Sequence, residues 1–561
     1  MMSDTVKQQS RAYSSVLDIS PHLTVIAATV LSFLRTGYMP VDENNIYHVP
    51  ILLRSFDLPQ FADDAFIQSL RNFASGFWIV FSGAGNLVDA KLFLATWLVI
   101  THFAFLAAAL HFARSLGFSD RRLLNIYLLI LSVAGPLVGI TVGGGGIMLH
   151  YFTHSELANA FVLFGFSYAI RGSHGHAAVA TAITFFLNAF MAVWMILPLC
   201  FLAIYQIQTG MISFRALVVR GAAGSLLGAI FLLPPLINVF SNRQLLTVPS
   251  FSFRQFLWDF YPFHFFLQSN SGLHLANLLC AVAVIFVICR YLGNQMTPLR
   301  LLTGGMIAVL LIGTIVPLLT DSRMILNLHL IRSAVVIIFL FAIAAALLVA
   351  KWITAPENAS SALFGWAICV ALMPLQLGAV MVLVLLLFYR VLAAGALAPQ
   401  GSASNGPRLF LCFAPIMAFF VFHNLYDHYS DQLRKVASEA QWERVGAWAK
   451  KALPAEATFM IMPDHNATGA ALGFGYTSER RQIFAYKYGA AVLWLPAYFT
   501  VWERNMTRRE VLETPKDKLS YVAGSGADYL GTECDPALGN PVHQDGDSCL
   551  YAIASPVGQV R

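Results

Sequence analysis

Apolar runs near twenty residues long, separated by short polar turns, recur from residue 22 to about residue 423. About twenty apolar residues in a helix cross roughly 30 Å of hydrocarbon, so the pattern predicts membrane spans. They fall at about 22–38, 89–114, 123–141, 157–170, 177–189, 191–207, 216–240, 272–290, 301–320, 332–350, 361–376, 378–393 and 408–423, and several are short or interrupted by Pro or Gly. Period-two alternation is absent from this region, which favours a helical bundle over a β-barrel. Past residue 423 the pattern changes. "QWERVGAWAKKALP" sets Trp442, Val445 and Trp448 at helical spacing, and "ATFMIMP", "RQIFAYK", "LSYVAG", "DYLGTE" and "CLYAIA" read as short strands between turn residues. The predicted fold class is an all-α polytopic membrane bundle of about 11–13 transmembrane helices with a small C-terminal extracytoplasmic α/β domain. Its parts are an N-terminal segment 1–21, a membrane domain 22–423 and a soluble domain 424–561.

Composition excludes a soluble multidomain protein. Charged residues make up 11% of the 561 and hydrophobic residues 58%, against about 25% charged in an ordinary soluble domain. The net charge of +6 does not point to nucleic acid, because many cations lie in short loops between spans. Membrane topology accounts for them. With the N-terminus in the cytoplasm, thirteen Lys and Arg fall at cytoplasmic span ends and eight at the opposite ends, as the positive-inside rule requires. An odd number of spans then puts the tail outside the cytoplasm, and segments 39–88, 142–156 and 241–271 become the large external loops. The expected location is a bacterial inner membrane, with the C-terminal domain in the periplasm or outside the cell. The opening "MMSDTVKQQSRAYSS" has no cleavable-signal pattern, so the first span is expected to stay as an anchor. Cys534 and Cys549 flank a Gly/Pro/Asp-rich stretch of the tail and are expected to pair in an oxidising compartment.

Charge in the first external loop is concentrated. Five of the 29 acidic residues, Asp42, Glu43, Asp57, Asp63 and Asp64, sit within residues 37–66. Asp42 and Glu43 follow the first span closely, where a carboxylate can serve as general base toward an acceptor hydroxyl; the alternative is a solvated turn, for which "ENN" is suited. Asp63 and Asp64 are secondary acidic candidates or helix caps. Nearby, Phe61, Phe66, Leu70, Phe73 and Phe77 have the spacing of a helix lying in the membrane interface.

A first span followed by a long external loop that opens on Asp-Glu resembles the integral-membrane glycosyltransferases of the GT-C superfamily. The resemblance covers the topology of the whole chain, and its motif is the pair Asp42-Glu43. It implies a polyprenyl-phosphate-linked sugar donor, membrane lipids and a glycan, lipid or protein acceptor as partners, an inverting displacement, and Asp42 or Glu43 as the catalytic acid. It further implies an acidic residue in the second external loop, where Glu156 stands.

Other residues fit such a site. His150 and His154 are four apart and would share a face of a helix, open to a phosphate or a divalent cation; a Ser155-initiated helix cap is the alternative. No cofactor is otherwise expected, since no third metal ligand is adjacent. Arg332, with His264 and Arg254, is the candidate donor-phosphate group, Arg332 alternatively being an interfacial anchor. Lys487, Arg480 and Arg481 either meet a substrate or form a solvated face. A lipid or glycolipid transporter, or a non-catalytic scaffold subunit, is the rival function. Transport predicts polar residues repeated at mid-span depth, whereas the polar residues here gather at external span ends.

Overall fold

The computed structural model describes residues 19–39, 41–242, 249–356, 359–374, 376–394, 406–463, 467–483, 486–509 and 514–553. Each of the thirteen segments read as a span contains a helix. Among the described residues, six helical stretches are long and apolar enough to cross a membrane, and the chain is an integral membrane protein. The stretch Arg323–Thr354 forms the centre of the bundle. Its helix Ala334–Thr354, "AVVIIFLFAIAAALLVAKWIT", is apolar on every side and buried through Ala350, as expected of a helix surrounded by others. The opposite case is Phe214–Ser241, where only 11% of the most apolar window is buried. It docks on His174–Leu187 through Gly224, whose absent Cβ would lie 2.1 Å from the Gly175 carbonyl oxygen; small residues permit that approach.

The segments expected as external loops gather at one end of the bundle. Met39 donates to the His150 carbonyl at 2.8 Å, and Gly143 donates to the Asn270 side chain at 3.0 Å. The interfacial helix expected from Phe61 to Phe77 is not continuous. The chain makes the short turns Pro59–Phe61, Ala65–Ser69, Leu70–Asn72 and Gly76–Val80, with Phe73 and Ser75 extended between the last two. Phe61, Phe66, Leu70 and Phe77 are buried in protein rather than facing lipid. Their spacing came from packing against several neighbours in turn: Phe66 stacks on Tyr488 and Phe77 meets Trp97 and Phe152.

The C-terminal region follows the last span without a break in helix. One helix, Gly406–Ala452, runs from the last span into the domain, so the boundary expected at residue 424 falls inside a helix. Its membrane-emergent part is tied to the first span, with Gln432 donating to the Thr36 carbonyl at 2.9 Å. Beyond it lies a five-stranded sheet in the order β2-β1-β3-β5-β4, formed by β1 Thr458–Ile461, β2 Arg481–Gln482, β3 Tyr529–Glu533, β4 His543–Asp545 and β5 Ser548–Ala552. β1 is parallel to β2 and β3, and the β3–β5–β4 side is antiparallel. Cys549 pairs with Thr532 in register, and its disulfide to Cys534 staples β5 to the end of β3.

One expected strand is a helix. "LSYVAG" lies in Pro515–Ser525, because Thr514 and Asp517 form a reciprocal capping box with Pro515 at the first helical position. "RQIFAYK" supplies only the two-residue β2 among the described residues.

Candidate active site

The chain turns sharply just after the first span. The Asp42 carbonyl accepts from the Asn45 N–H at 2.9 Å, and the Asn45 side chain accepts from the Asp42 N–H at 3.0 Å, so the turn that leads into helix Asn45–Leu52 is closed in both directions. This turn buries Asp42 at 7% exposure. Both its oxygens are held: Oδ1 accepts the Glu43 N–H at 2.8 Å, and Oδ2 lies 2.9 Å from His150 Nε2. Glu43 faces the other way and forms an ion pair with Lys487 of the soluble domain. Adjacent acids thus have different settings.

His150 and His154 do not share a helix face. The helix begins at His154, with Thr153 rather than Ser155 in the N-cap position, and His150 precedes it in irregular backbone. His150 pairs with Asp42, whereas His154 Nδ1 accepts from the Trp78 indole at 2.8 Å behind the site. His48 stacks on the same indole at 4.2 Å between ring centroids. No group of three or more His, Cys, Asp or Glu converges among the described residues. Glu156 is buried in the first turn of the helix, with the Leu149 N–H donating to its carboxylate and Oε2 unpartnered.

Opposite the acids is a glycine cradle. Gly143 and Gly144 have φ of +77° and +74°, a conformation costly for residues with a Cβ. A Cβ on Gly143 would lie 2.9 Å from the Arg332 backbone, and one on Gly144 would lie 2.4 Å from the His264 ring. The glycine run lets the main chain touch both residues. Arg332 is half-buried and donates to the Gly144 carbonyl at 3.4 Å. His264 Nδ1 donates to the Gly143 carbonyl at 2.8 Å.

Burial lowers the His264 ring to about 4, with Arg332 and Lys487 acting in the same direction and the Gly143 carbonyl opposing. A neutral ring with its proton on Nδ1 leaves Nε2 as an acceptor, suited to a hydroxyl. It becomes a phosphate donor only when a bound anion draws a second proton onto it. Arg332 and Lys487 are therefore the cations that can meet an anion at neutral pH. Tyr151 is buried where the two sides adjoin, and its hydroxyl is pushed well above its ordinary value by burial, then by Glu156, Glu43 and Asp42, with Arg332 opposing.

The other expected residues lie apart. Arg254 is exposed, its N–H on Asp321 at 2.5 Å and its guanidinium on the Leu318 carbonyl at 3.3 Å. Asp63 is exposed and Asp64 caps helix Ala65–Ser69 through the Ile67 N–H at 2.9 Å. Arg480 is buried against the carbonyls of Lys450 and Leu453, closing the end of the long helix. Arg481 reaches the Asp63 carbonyl at 3.5 Å.

No family model matches the chain, and no curated protein matches it. Among solved structures it is similar to ArnT from Cupriavidus metallidurans in the apo state, at 12% identity and a TM-score of 0.47, over 96% of this chain and 98% of that one. It is similar also to the same protein bound to undecaprenyl phosphate, at 14% identity and a TM-score of 0.46, over 96% and 99%. Likeness of this degree leaves the reaction to be argued from this chain's own residues.

Proposed function

We propose that the protein is a membrane glycosyltransferase of GT-C type, moving a sugar from a polyprenyl-phosphate carrier to an acceptor on the extracytoplasmic face. The observation that carries this reading is the juxtaposition of a buried, doubly held carboxylate, Asp42, with a cationic cradle of Arg332, Lys487 and the Gly143-Gly144 turn.

Asp42 accepts the proton of the acceptor hydroxyl, with His150 orienting the carboxylate. The acceptor oxygen attacks the anomeric carbon, and the bond from that carbon to the phosphate oxygen breaks with inversion. The carrier phosphate leaves with one more negative charge, which Arg332 and Lys487 meet; Arg332 offers a planar fork and Lys487 a mobile point charge. His264 Nε2 accepts from a sugar or acceptor hydroxyl. Glu156 and Tyr151 line the acid side.

The test is sugar transfer in proteoliposomes, together with mass spectrometry of lipids that copurify with the protein. A bound polyprenyl phosphate and turnover abolished by Asp42→Asn support the reading. Absence of both overturns it.

A further inference from the structure

Lys487 belongs to the soluble domain, yet its ammonium is paired with Glu43 of the first loop. It is the only charged residue in the segment 486–494, "YKYGAAVLW", and that segment is fastened on both sides of the site. On the first-loop side, Tyr47 donates to the Lys487 carbonyl at 2.6 Å, and the Trp494 indole donates to Ser69 at 3.0 Å. On the other side, Tyr486 donates to the Phe260 carbonyl, and Asn327 donates to the Leu493 carbonyl at 3.0 Å. The main chain at Lys487 is therefore anchored, while a four-carbon stem leaves the ammonium free to choose between nearby anions. His264 and Arg332 share the Gly143–Gly144 turn nearby.

Its partner is in an uncommon state. Glu43 has φ of +45°, a left-handed conformation that non-glycine residues seldom adopt. The same Glu43 donates its N–H to Asp42 Oδ1 at 2.8 Å. The ion pair to Lys487 thus helps hold a backbone turn whose N–H occupies one oxygen of Asp42.

We propose that Lys487 is a phosphate-responsive latch, a substrate-binding residue by which the C-terminal domain couples occupancy of the phosphate site to the setting of Asp42. Without a phosphate, Glu43 holds the ammonium, and the Glu43 N–H holds Asp42 Oδ1. A carrier phosphate competes for the same ammonium and draws it off. Glu43 then relaxes from the left-handed conformation, its N–H turns away, and Oδ1 is open to the acceptor hydroxyl. The base is set only when a donor is present, which disfavours idle proton exchange with the acceptor. This inference rests on the polyprenyl-phosphate reading above.

The experiment measures undecaprenyl phosphate binding to the full chain in detergent micelles. The native protein is compared with Glu43→Gln, Lys487→Met, Lys487→Arg and the Glu43→Gln/Lys487→Met double variant. Removing the competing carboxylate in Glu43→Gln should tighten binding about tenfold, and Lys487→Met should weaken it about tenfold, the lower end for one charge-assisted contact. In the Lys487→Met background Glu43→Gln should be silent, and Lys487→Arg should restore most of the affinity. If the native chain binds but Glu43→Gln leaves affinity unchanged or lowers it, the latch is overturned and the phosphate reading stands. If neither the native chain nor any variant binds, the phosphate reading falls and the latch with it.

Discussion

Asp42 and Glu43 are neighbours in sequence and meet different partners. Asp42 is buried between its own turn and His150, while the Glu43 side chain is 43% exposed and meets a cation from another domain. Asp42→Asn keeps the size and the hydrogen-bonding capacity but removes the basicity, so the protein should fold and lose at least about 10²-fold in turnover. Sugar transfer by the purified variant checks this, and activity within a few-fold of native would move the base elsewhere. Gly144→Ala tests the cradle. Its Cβ would meet the His264 ring at 2.4 Å in a left-handed backbone, so carrier-lipid affinity should fall even where thermal melting shows a folded protein. Asp42, Glu43 and Arg332 stood out as candidates in the sequence because acidic residues cluster in the first external loop and external arginines are few. The pairing of His150 with one acid, and the use of two glycines to admit Arg332 and His264, had no local signal.

At the scale of elements, the chain's punctuation was partly readable. Asp64 opens helix Ala65–Ser69 by accepting the Ile67 N–H. Asp64→Ala should cost about 1 kcal/mol of stability, the usual price of a lost N-cap, while Asp64→Asn should cost little because Asn caps as well. Unfolding of both variants measured against the native protein checks this. A loss of turnover in Asp64→Asn without a loss of stability would instead give Asp64 a chemical role. The disulfide closes a sequence separation of 15 residues, for which loop closure predicts about 3 kcal/mol. Cys549→Ala should therefore make the soluble domain more sensitive to proteolysis, and the same sensitivity should follow treatment of the native protein with reductant. The strand expected at "LSYVAG" shows where reading failed. Its place between turn residues favoured a strand, but the preceding Thr-Pro-Lys-Asp is a helix start in sequence alone. The short-range capping signal outweighed the side-chain pattern.

Over the whole molecule, two groups outside the spans, the half-buried His264 and the buried Glu439, tie stability to pH with opposite signs. His264 has its pKa lowered from 6.5 to about 4, chiefly by burial. Between those values the unfolded chain binds a proton that the folded chain refuses, so stability falls as pH drops from 6.5 toward 4. Glu439 lies buried beside Lys91 and Glu443, and burial raises its carboxyl to about 8, Lys91 opposing and Glu443 adding. Here the folded chain keeps the proton. Its contribution is full below 4.5 and is lost as pH rises toward 8. Thermal melts in detergent should show His264→Asn less acid-sensitive than native, and Glu439→Gln gaining on native between pH 5 and pH 8. Parallel pH dependence in variants and native protein would count against both assignments.

The membrane character, the helical segments and the position of Asp42 beside the first span were determined by the sequence itself. Each depends on properties within one or a few turns: the length of an apolar run, the spacing of buried faces, or the charge at a span end. What only the tertiary structure decided is who meets whom. Asp42 and His150 are 108 residues apart, Arg332 and Gly144 are 188 apart, and Glu43 meets a lysine from the far domain. The pattern of one segment carries no record of which distant segment will cover it. Those pairings arise when the central helix, the glycine turn and the C-terminal region settle on one another, and they give Asp42 and Glu43 different partners.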